Sequence, residues 1–129
     1  MQILEPTKND TVFVLFLPLN EIHELGLMYL NYEILLNGYK TIYLGESIPT
    51  DSLIDLKNSF EKITFLSYCT VEPDQENINE YITDMHAKIL ENTNHELFLL
   101  GRMTQFITTK TLPKNIHLFN SIEELSNTL

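Results

Sequence analysis

A glutamate and a histidine stand two residues apart just after the first apolar run of the sequence. Glu21 and His23 belong to the string Asn-Glu-Ile-His-Glu-Leu-Gly at residues 20–26. A histidine in this setting can offer one ring nitrogen to a metal while the other donates to a carboxylate, which fixes the tautomer. Gly26 removes side-chain bulk one helical turn later, where a ligand could lie close. A simpler interpretation stays open, namely a helix-terminal histidine in a polar loop.

Other familiar sites lack their residues. The four glycines are isolated, so neither a dinucleotide fingerprint nor a P-loop can be written. A receiver domain needs an acidic cluster after strand 1, an aspartate at the end of strand 3 and a lysine after strand 5. This chain has Leu-Pro-Leu-Asn, Ser-Tyr-Cys and Asn-Ser at those three places. Cys69 has no evident partner base, which favours packing or pocket lining over nucleophilic catalysis. The histidines are too scattered for zinc: His86 and His95 are predicted to be solvated, and His117 to be packed or hydrogen-bonded.

The elements that must position these residues alternate between strand-like and helical periods. Apolar runs predict five strands, over residues 11–17, 40–44, 63–67, 96–100 and 115–119. Helices are predicted over residues 21–37, 49–60, 74–92 and 103–111, and a capping box at 121–124 begins a short fifth helix. The first helix is predicted from apolar residues at Ile22, Leu25, Met28 or Tyr29, and Tyr32, followed by the run Ile34-Leu35-Leu36.

This alternation predicts an α/β fold with a flavodoxin-like, doubly wound sheet of five parallel strands in the order 2-1-3-4-5, flanked by helices. Residues 11–129 are expected to form one domain, and the polar residues 1–10 a tether before it. Ligands of such sheets bind at the carboxyl ends of the strands, near the switch between strands 1 and 3. Glu21 and His23 fall at that edge.

Composition limits the function classes. The chain has 129 residues, 43% of them apolar, which suits one domain with its own core. Eight Lys+Arg against eighteen Asp+Glu leave a formal charge of -10, so this domain is not expected to contact nucleic acid. The single cysteine excludes a disulfide framework. No secretion signal and no membrane-length apolar run is visible, so we expect a cytoplasmic protein.

The string Glu21-x-His23-x-x-Gly26 resembles the Asp-x-His-x-x-Gly motif of cobalamin (vitamin B12)-binding domains, with glutamate at the acidic position. The similarity covers about residues 11–129 and is strongest over 20–53. It continues through a glycine before strand 2 and a Leu-Gly-x-x-x-Pro string, at Gly38, Leu44, Gly45 and Pro49. The resemblance implies a base-off, His-on site, in which His23 is the lower axial ligand of the cobalt and Glu21 hydrogen-bonds it.

The resemblance also implies a place for the dimethylbenzimidazole tail of the cofactor, in a cleft beside the sheet. Ser67 stands where the family has a serine that bonds the tail, and Cys69 replaces a leucine. Gly101 matches the first of two family glycines, and Arg102 replaces the second. The long Arg102 side chain either blocks the tail or pairs with the cofactor phosphate. The implied cofactor-binding set is Glu21, His23, Gly26, Gly45, Ser67, Cys69, Gly101 and Arg102.

The pattern is most similar to the domains found at the C-terminus of MerR-type transcriptional regulators. It implies a non-catalytic sensor that binds adenosylcobalamin or methylcobalamin, associates as a homo-oligomer and leaves DNA contact to a separate N-terminal domain. Two alternatives remain open. One is a degenerate fold that has lost the cofactor and serves dimerisation. The other is a corrinoid carrier subunit of a methyltransferase.

Overall fold

Five parallel strands form the central sheet of this computed structural model, which describes residues 8–129. The strands are β1 (Lys8–Pro18), β2 (Tyr39–Ile48), β3 (Ile63–Tyr68), β4 (Glu96–Leu100) and β5 (Ile116–Leu118). Their order is β2-β1-β3-β4-β5 and every neighbouring pair is parallel, which confirms the predicted fold class. Strand β1 begins inside the segment predicted as a tether, and residues 1–7 of that segment lie outside the described residues.

Helices cover both faces of the sheet and bury its apolar side chains. They are α1 (Leu25–Leu36), α2 (Asp51–Lys57), α3 (Ile78–Met85), which continues into a π-helical turn at His86–Leu90, and α4 (Ile122–Ser126). One core lies under α1 and α4, where Leu27, Leu30, Ile34 and Leu125 are fully buried. The other lies under α2 and α3, where Leu53, Ile78 and Met85 are fully buried. None of the helices within residues 8–129 has the length and apolar character needed to cross a bilayer.

The prediction of a helix over residues 103–111 is wrong. The chain there makes only one 3-10 turn, Arg102–Phe106, before it continues irregularly to β5. Threonines and β-branched residues fill the rest of that segment, and their restricted side-chain rotation lowers helix propensity. The predicted cap of the last helix is present, because the Ser121 hydroxyl accepts the Glu124 amide at 3.1 Å.

The apolar spacing predicted for the first helix marks its buried side at Ile34 but not at its earlier positions. Leu25, Met28, Tyr29 and Tyr32 are all more than half exposed, and Leu25 reaches 82%. The buried face consists of Leu27, Leu30 and Ile34. Because α1 carries apolar residues on almost every side, a helical period alone could not tell which side meets the sheet.

His95 is buried, contrary to the prediction that it is solvated. Its Nδ1 accepts the Ile63 amide at 2.9 Å, so Nε2 carries the proton and donates to the Lys57 carbonyl at 2.6 Å. Both ring nitrogens are therefore satisfied by backbone groups, and the histidine joins the loop before β4 to the start of β3. His117 packs edge-on against Phe98, as predicted.

Candidate cofactor site

Glu21 is a buried carboxylate that joins two loops at the carboxyl edge of the sheet. Its Oε1 accepts the backbone amides of residues 70–72 at 2.6 to 3.2 Å. Its Oε2 accepts the amides of Ile22 and His23 at 3.0 and 3.1 Å. Burial opposes the charge of this group, but the donors, led by the Val71 amide, outweigh it and lower the pKa of Glu21 to about 2. The β1–α1 loop is thereby fixed to the loop after β3.

His23 projects from this anchored loop with one nitrogen occupied and the other available. Nδ1 lies 2.8 Å from Oε2 of Glu21, and the imidazole is 56% exposed. Because Oε2 is anionic, Nδ1 must carry the proton, which leaves the lone pair on Nε2. No hydrogen bond within the described part of the chain involves Nε2. A metal could therefore be ligated by Nε2 in the tautomer that Glu21 already imposes.

The end of β2 supports the same loop from the other side. The Ser47 hydroxyl accepts the Asn20 amide at 3.0 Å, and the Ser47 amide donates to the Glu21 carbonyl at 3.2 Å. Gly45 adopts a φ of +87° just before this contact, a backbone conformation that glycine adopts without strain. The structure places Gly45 beside the Glu24 carboxylate. The predicted motif at the end of β2 thus helps to position the histidine loop.

Exposed apolar side chains stand on the segments that flank His23 in the fold. Leu19, Ile22, Leu25 and Val71 are each at least half exposed, and all lie on the two loops that Glu21 joins or on the first turn of α1. An open hollow of about 710 Å³ adjoins these loops and is lined in part by Pro18, Leu19, Asn20, Glu72 and Pro73. Exposed apolar residues on the segments that carry a free ligand nitrogen are typical of a binding surface.

Gly26 lies in the first turn of α1, and the ring of Tyr68 covers it. A methyl group placed on the Gly26 α-carbon would lie 2.9 Å from Cε2 and 3.2 Å from Cζ of Tyr68. The ring therefore rests against the helix backbone and takes up the space that a glycine leaves open. Tyr68 stands between Ser67 and Cys69, the two positions that the resemblance assigns to the tail, and its ring leaves no open space at Gly26.

Ser67 and Cys69 face away from Gly26. Ser67 is in register with Phe16 of β1 and Leu99 of β4, which belong to the core under α2 and α3. Its buried hydroxyl donates to the Phe16 carbonyl at 2.7 Å. The Cys69 side chain lies in the same core, where burial and the charge of Glu21 raise the pKa of its thiol to about 12. The structure thus does not bring these two implied tail contacts to the Gly26 side.

Gly101 and Arg102 stand at the end of β4. Gly101 has a φ of +106° and packs so closely on the Cys69 backbone that a side chain there would overlap the Cys69 carbonyl. Arg102 is exposed and borders a hollow of about 390 Å³. The same hollow is lined by Tyr68, Asn120 and Ser121 among others. Arg102 therefore borders this space without closing it.

The eight implied residues thus divide into separate groups. Glu21, His23 and Gly45 share one rigid edge, Gly26 is covered, and the other four lie in the opposite core or at the end of β4. Within residues 8–129, no three His, Cys, Asp or Glu side chains converge as a metal cluster. The sequence reasoning missed the amides of residues 70–72, which carry no side-chain signal, and the position of Tyr68. Strand alternation in β3 could have placed Tyr68 opposite Gly26, since neighbouring residues face opposite sides.

Two solved structures share this fold over most of the chain. The monomethylamine corrinoid protein of Methanosarcina barkeri superposes with a TM-score of 0.71 at 10% identity, over 92% of this chain and 56% of that one. A cobalamin-binding protein from Desulfitobacterium hafniense DCB-2 superposes with a TM-score of 0.66 at 13% identity, over 92% and 57%. This chain therefore spans little more than half the length of either. No family model and no curated protein sequence matches the chain.

Proposed function

We propose that this domain binds a corrinoid, with Nε2 of His23 as the axial ligand of the cobalt. The observation that carries the proposal is the Glu21–His23 pair. Glu21 is fixed by backbone amides of two loops and holds Nδ1 at 2.8 Å, so Nε2 points outward as a ready ligand. The fold shared with two corrinoid-related proteins supports the same conclusion.

The donor set fits a cobalt that the corrin ring already holds. Such a metal needs only one nitrogen from the protein, which is what this edge supplies. A bound corrinoid would supply the coordination chemistry of its cobalt. The protein contributes a fixed tautomer, because the anionic Glu21 keeps the proton on Nδ1 of His23. The exposed Leu19, Ile22 and Val71 side chains provide apolar surface for the flat macrocycle.

The cleft for the nucleotide tail does not fit equally well. Tyr68 fills the space at Gly26, and the Ser67 hydroxyl already donates its hydrogen bond to the Phe16 carbonyl. The proposal therefore rests on the axial site and includes no contact between the tail and Ser67 or Cys69. Arg102 borders a separate hollow, where its guanidinium stays free to meet an anion.

We further propose that the domain is the non-catalytic sensor of a MerR-type regulator. The motif of Glu21, His23 and Gly26 supports this role, together with Gly45 near the end of β2 and Pro49 just after it. Because this chain has a formal charge of -10, a separate part of the protein would contact DNA. Corrinoid binding would favour one assembly state over another and so shift their populations.

Self-association is supported by the exposed face of α1. Leu25, Tyr29, Tyr32 and Leu36 follow one another at spacings of four, three and four residues, and each is at least half exposed. This is the heptad spacing of helices that pack along a shared seam. The same face would also serve a cofactor-free dimerisation domain, the main alternative function. A corrinoid carrier of a methyltransferase remains the other alternative, and it predicts methyl transfer in the presence of a partner enzyme.

A visible titration tests the proposed function. The purified domain is mixed with diaquocobinamide and with aquocobalamin, passed through a desalting column and examined for retained corrinoid and a shifted spectrum. We expect the wild type to retain at least one of them, and His23→Ala to lose about tenfold or more in affinity. His117→Ala is the matched control, because it removes another exposed imidazole that pairs with a glutamate. Equal binding by the wild type and His23→Ala would contradict the proposal.

A further inference from the structure

The Tyr68 ring lies between the Gly26 backbone and a hollow at the ends of β4 and β5. On one side its ring contacts the Gly26 backbone, with Cε2 only 2.9 Å from where a methyl group on that glycine would lie. On the other side it lines the hollow of about 390 Å³ bordered by Arg102 and Ser121. The Tyr68 side chain thus fills the space between the first turn of α1 and the residues at the end of β4.

The space beneath the ring offers no alternative route. Leu27 and Leu30 of α1, together with Leu66 of β3, are fully buried directly below this edge. Interiors of this kind are close-packed, so no void remains for a group the size of a nucleotide. A ligand that needs room beside Gly26 can gain it only by displacing the Tyr68 ring.

We propose that this domain prefers corrinoids without a nucleotide tail to cobalamin, because the Tyr68 ring fills the recess that Gly26 of the motif leaves beside α1. This inference rests on the proposed axial ligation by His23. Cobalamin carries its own benzimidazole on the cobalt, and His23 must displace that base before it can bind. The displaced tail then stays in solvent, where no contact with the protein offsets the lost bond between the benzimidazole and the cobalt. Cobinamide has the same macrocycle and no such base.

The direct test compares the dissociation constants of the wild type for diaquocobinamide and aquocobalamin, measured by visible titration. We expect cobinamide to bind about tenfold or more tightly than cobalamin. Tyr68→Ala removes the ring that covers Gly26 and lines the hollow beside Arg102. We expect the affinity of this variant for cobalamin to rise about tenfold and its affinity for cobinamide to stay within about twofold of the wild type. Tyr68→Phe keeps the ring and is expected to keep the wild-type ratio. Tyr68→Val is a second opening variant that suits a strand.

The possible failures separate this inference from the proposed function. Tighter binding of cobalamin than of cobinamide by the wild type would overturn the inference and leave the proposed function standing. If the wild type binds cobalamin more tightly than cobinamide and Arg102→Ala loses this difference, the tail binds in the hollow beside Arg102. That result would also overturn the inference. Failure of both corrinoids to bind would overturn the proposed function itself. The wild-type comparison needs no substitution, so it is decisive even if the opening variants do not fold.

Discussion

The carboxylate of Glu21 lies 2.8 Å from Nδ1 of His23 and is buried while the imidazole is exposed. This relationship gives Glu21 two tasks at once. It fixes the tautomer of the histidine, and it holds the histidine loop against the amides of residues 70–72. A ligand nitrogen presented in this way loses little freedom on binding, because the loop that carries it is already ordered.

Glu21→Gln is expected to destabilise the domain by about 3 kcal/mol at neutral pH. The carboxylate has its pKa lowered from 4.5 to about 2 in the folded chain. Its contribution is therefore complete above pH 4.5 and is lost as the pH falls toward 2. Urea unfolding at neutral pH and within that window measures the effect.

Glu76→Gln is the matched control, since Glu76 is an exposed carboxylate. We expect this control to keep the wild-type loss of stability between pH 4.5 and 2, and Glu21→Gln to show a smaller loss. The same pH dependence in the wild type and Glu21→Gln would be inconsistent with an anionic, hydrogen-bonded Glu21.

Ser67→Ala is expected to cost about 1 kcal/mol of stability and to leave corrinoid affinity unchanged. The hydroxyl is buried and donates to the Phe16 carbonyl at 2.7 Å, on the side of the sheet away from Gly26. Thermal unfolding and the visible titration measure the two quantities. A clear loss of cobalamin affinity with unchanged stability would instead support the tail contact implied by the sequence.

Gly101→Ala is expected to destabilise the fold more than Gly45→Ala does. Both glycines have positive φ, but only at Gly101 would a side chain overlap the Cys69 backbone. We expect a loss of about 3 kcal/mol or more at Gly101, and about 1 kcal/mol at Gly45, where the nearest atom would lie 3.8 Å away. Urea unfolding of both variants gives the comparison, and equal losses would refute the steric account.

Cys69 is expected to resist thiol reagents as long as the domain is folded. Burial and the charge of Glu21 raise the pKa of its thiol to about 12, so the reactive thiolate is scarce. Labelling with a disulfide reagent at mildly alkaline pH should follow the rate of unfolding, and urea should accelerate it. Glu91→Cys adds an exposed thiol as a positive control. Rapid labelling of Cys69 in the native protein would contradict this picture.

The strands were the most predictable part of the fold. Their continuous apolar runs are typical of strands covered on both faces, and the predicted order matches the sheet. The orientation of α1 was not predictable, because Leu25 and Leu27 are equally apolar and only the sheet decides which is buried. The burial of His95 was not predictable either, because its hydrogen-bond partners Ile63 and Lys57 lie more than thirty residues away in the sequence.

The candidate site shows the same division. Glu21 and His23 are close in sequence, so their spacing alone predicts the hydrogen bond that the structure contains. The amides that lower the pKa of Glu21 come from residues 70–72 and have no residue signature. Tyr68 contacts Gly26 because α1 packs on the face of the sheet that Tyr68 occupies. A comparison of motifs does not show which side chain fills the space above a glycine.

The central claim is that His23 ligates cobalt, and nitrogen isotope labelling tests it most directly. The domain is prepared with ¹⁵N-histidine, loaded with cobinamide, which has no base of its own, and reduced to Co(II) for electron paramagnetic resonance. An axial ¹⁴N splits each cobalt line into three and an axial ¹⁵N into two. We predict three-line splitting in the unlabelled protein, two-line splitting in the labelled one, and none in His23→Ala. A spectrum without nitrogen splitting in the wild type, or one unchanged in His23→Ala, would contradict the account.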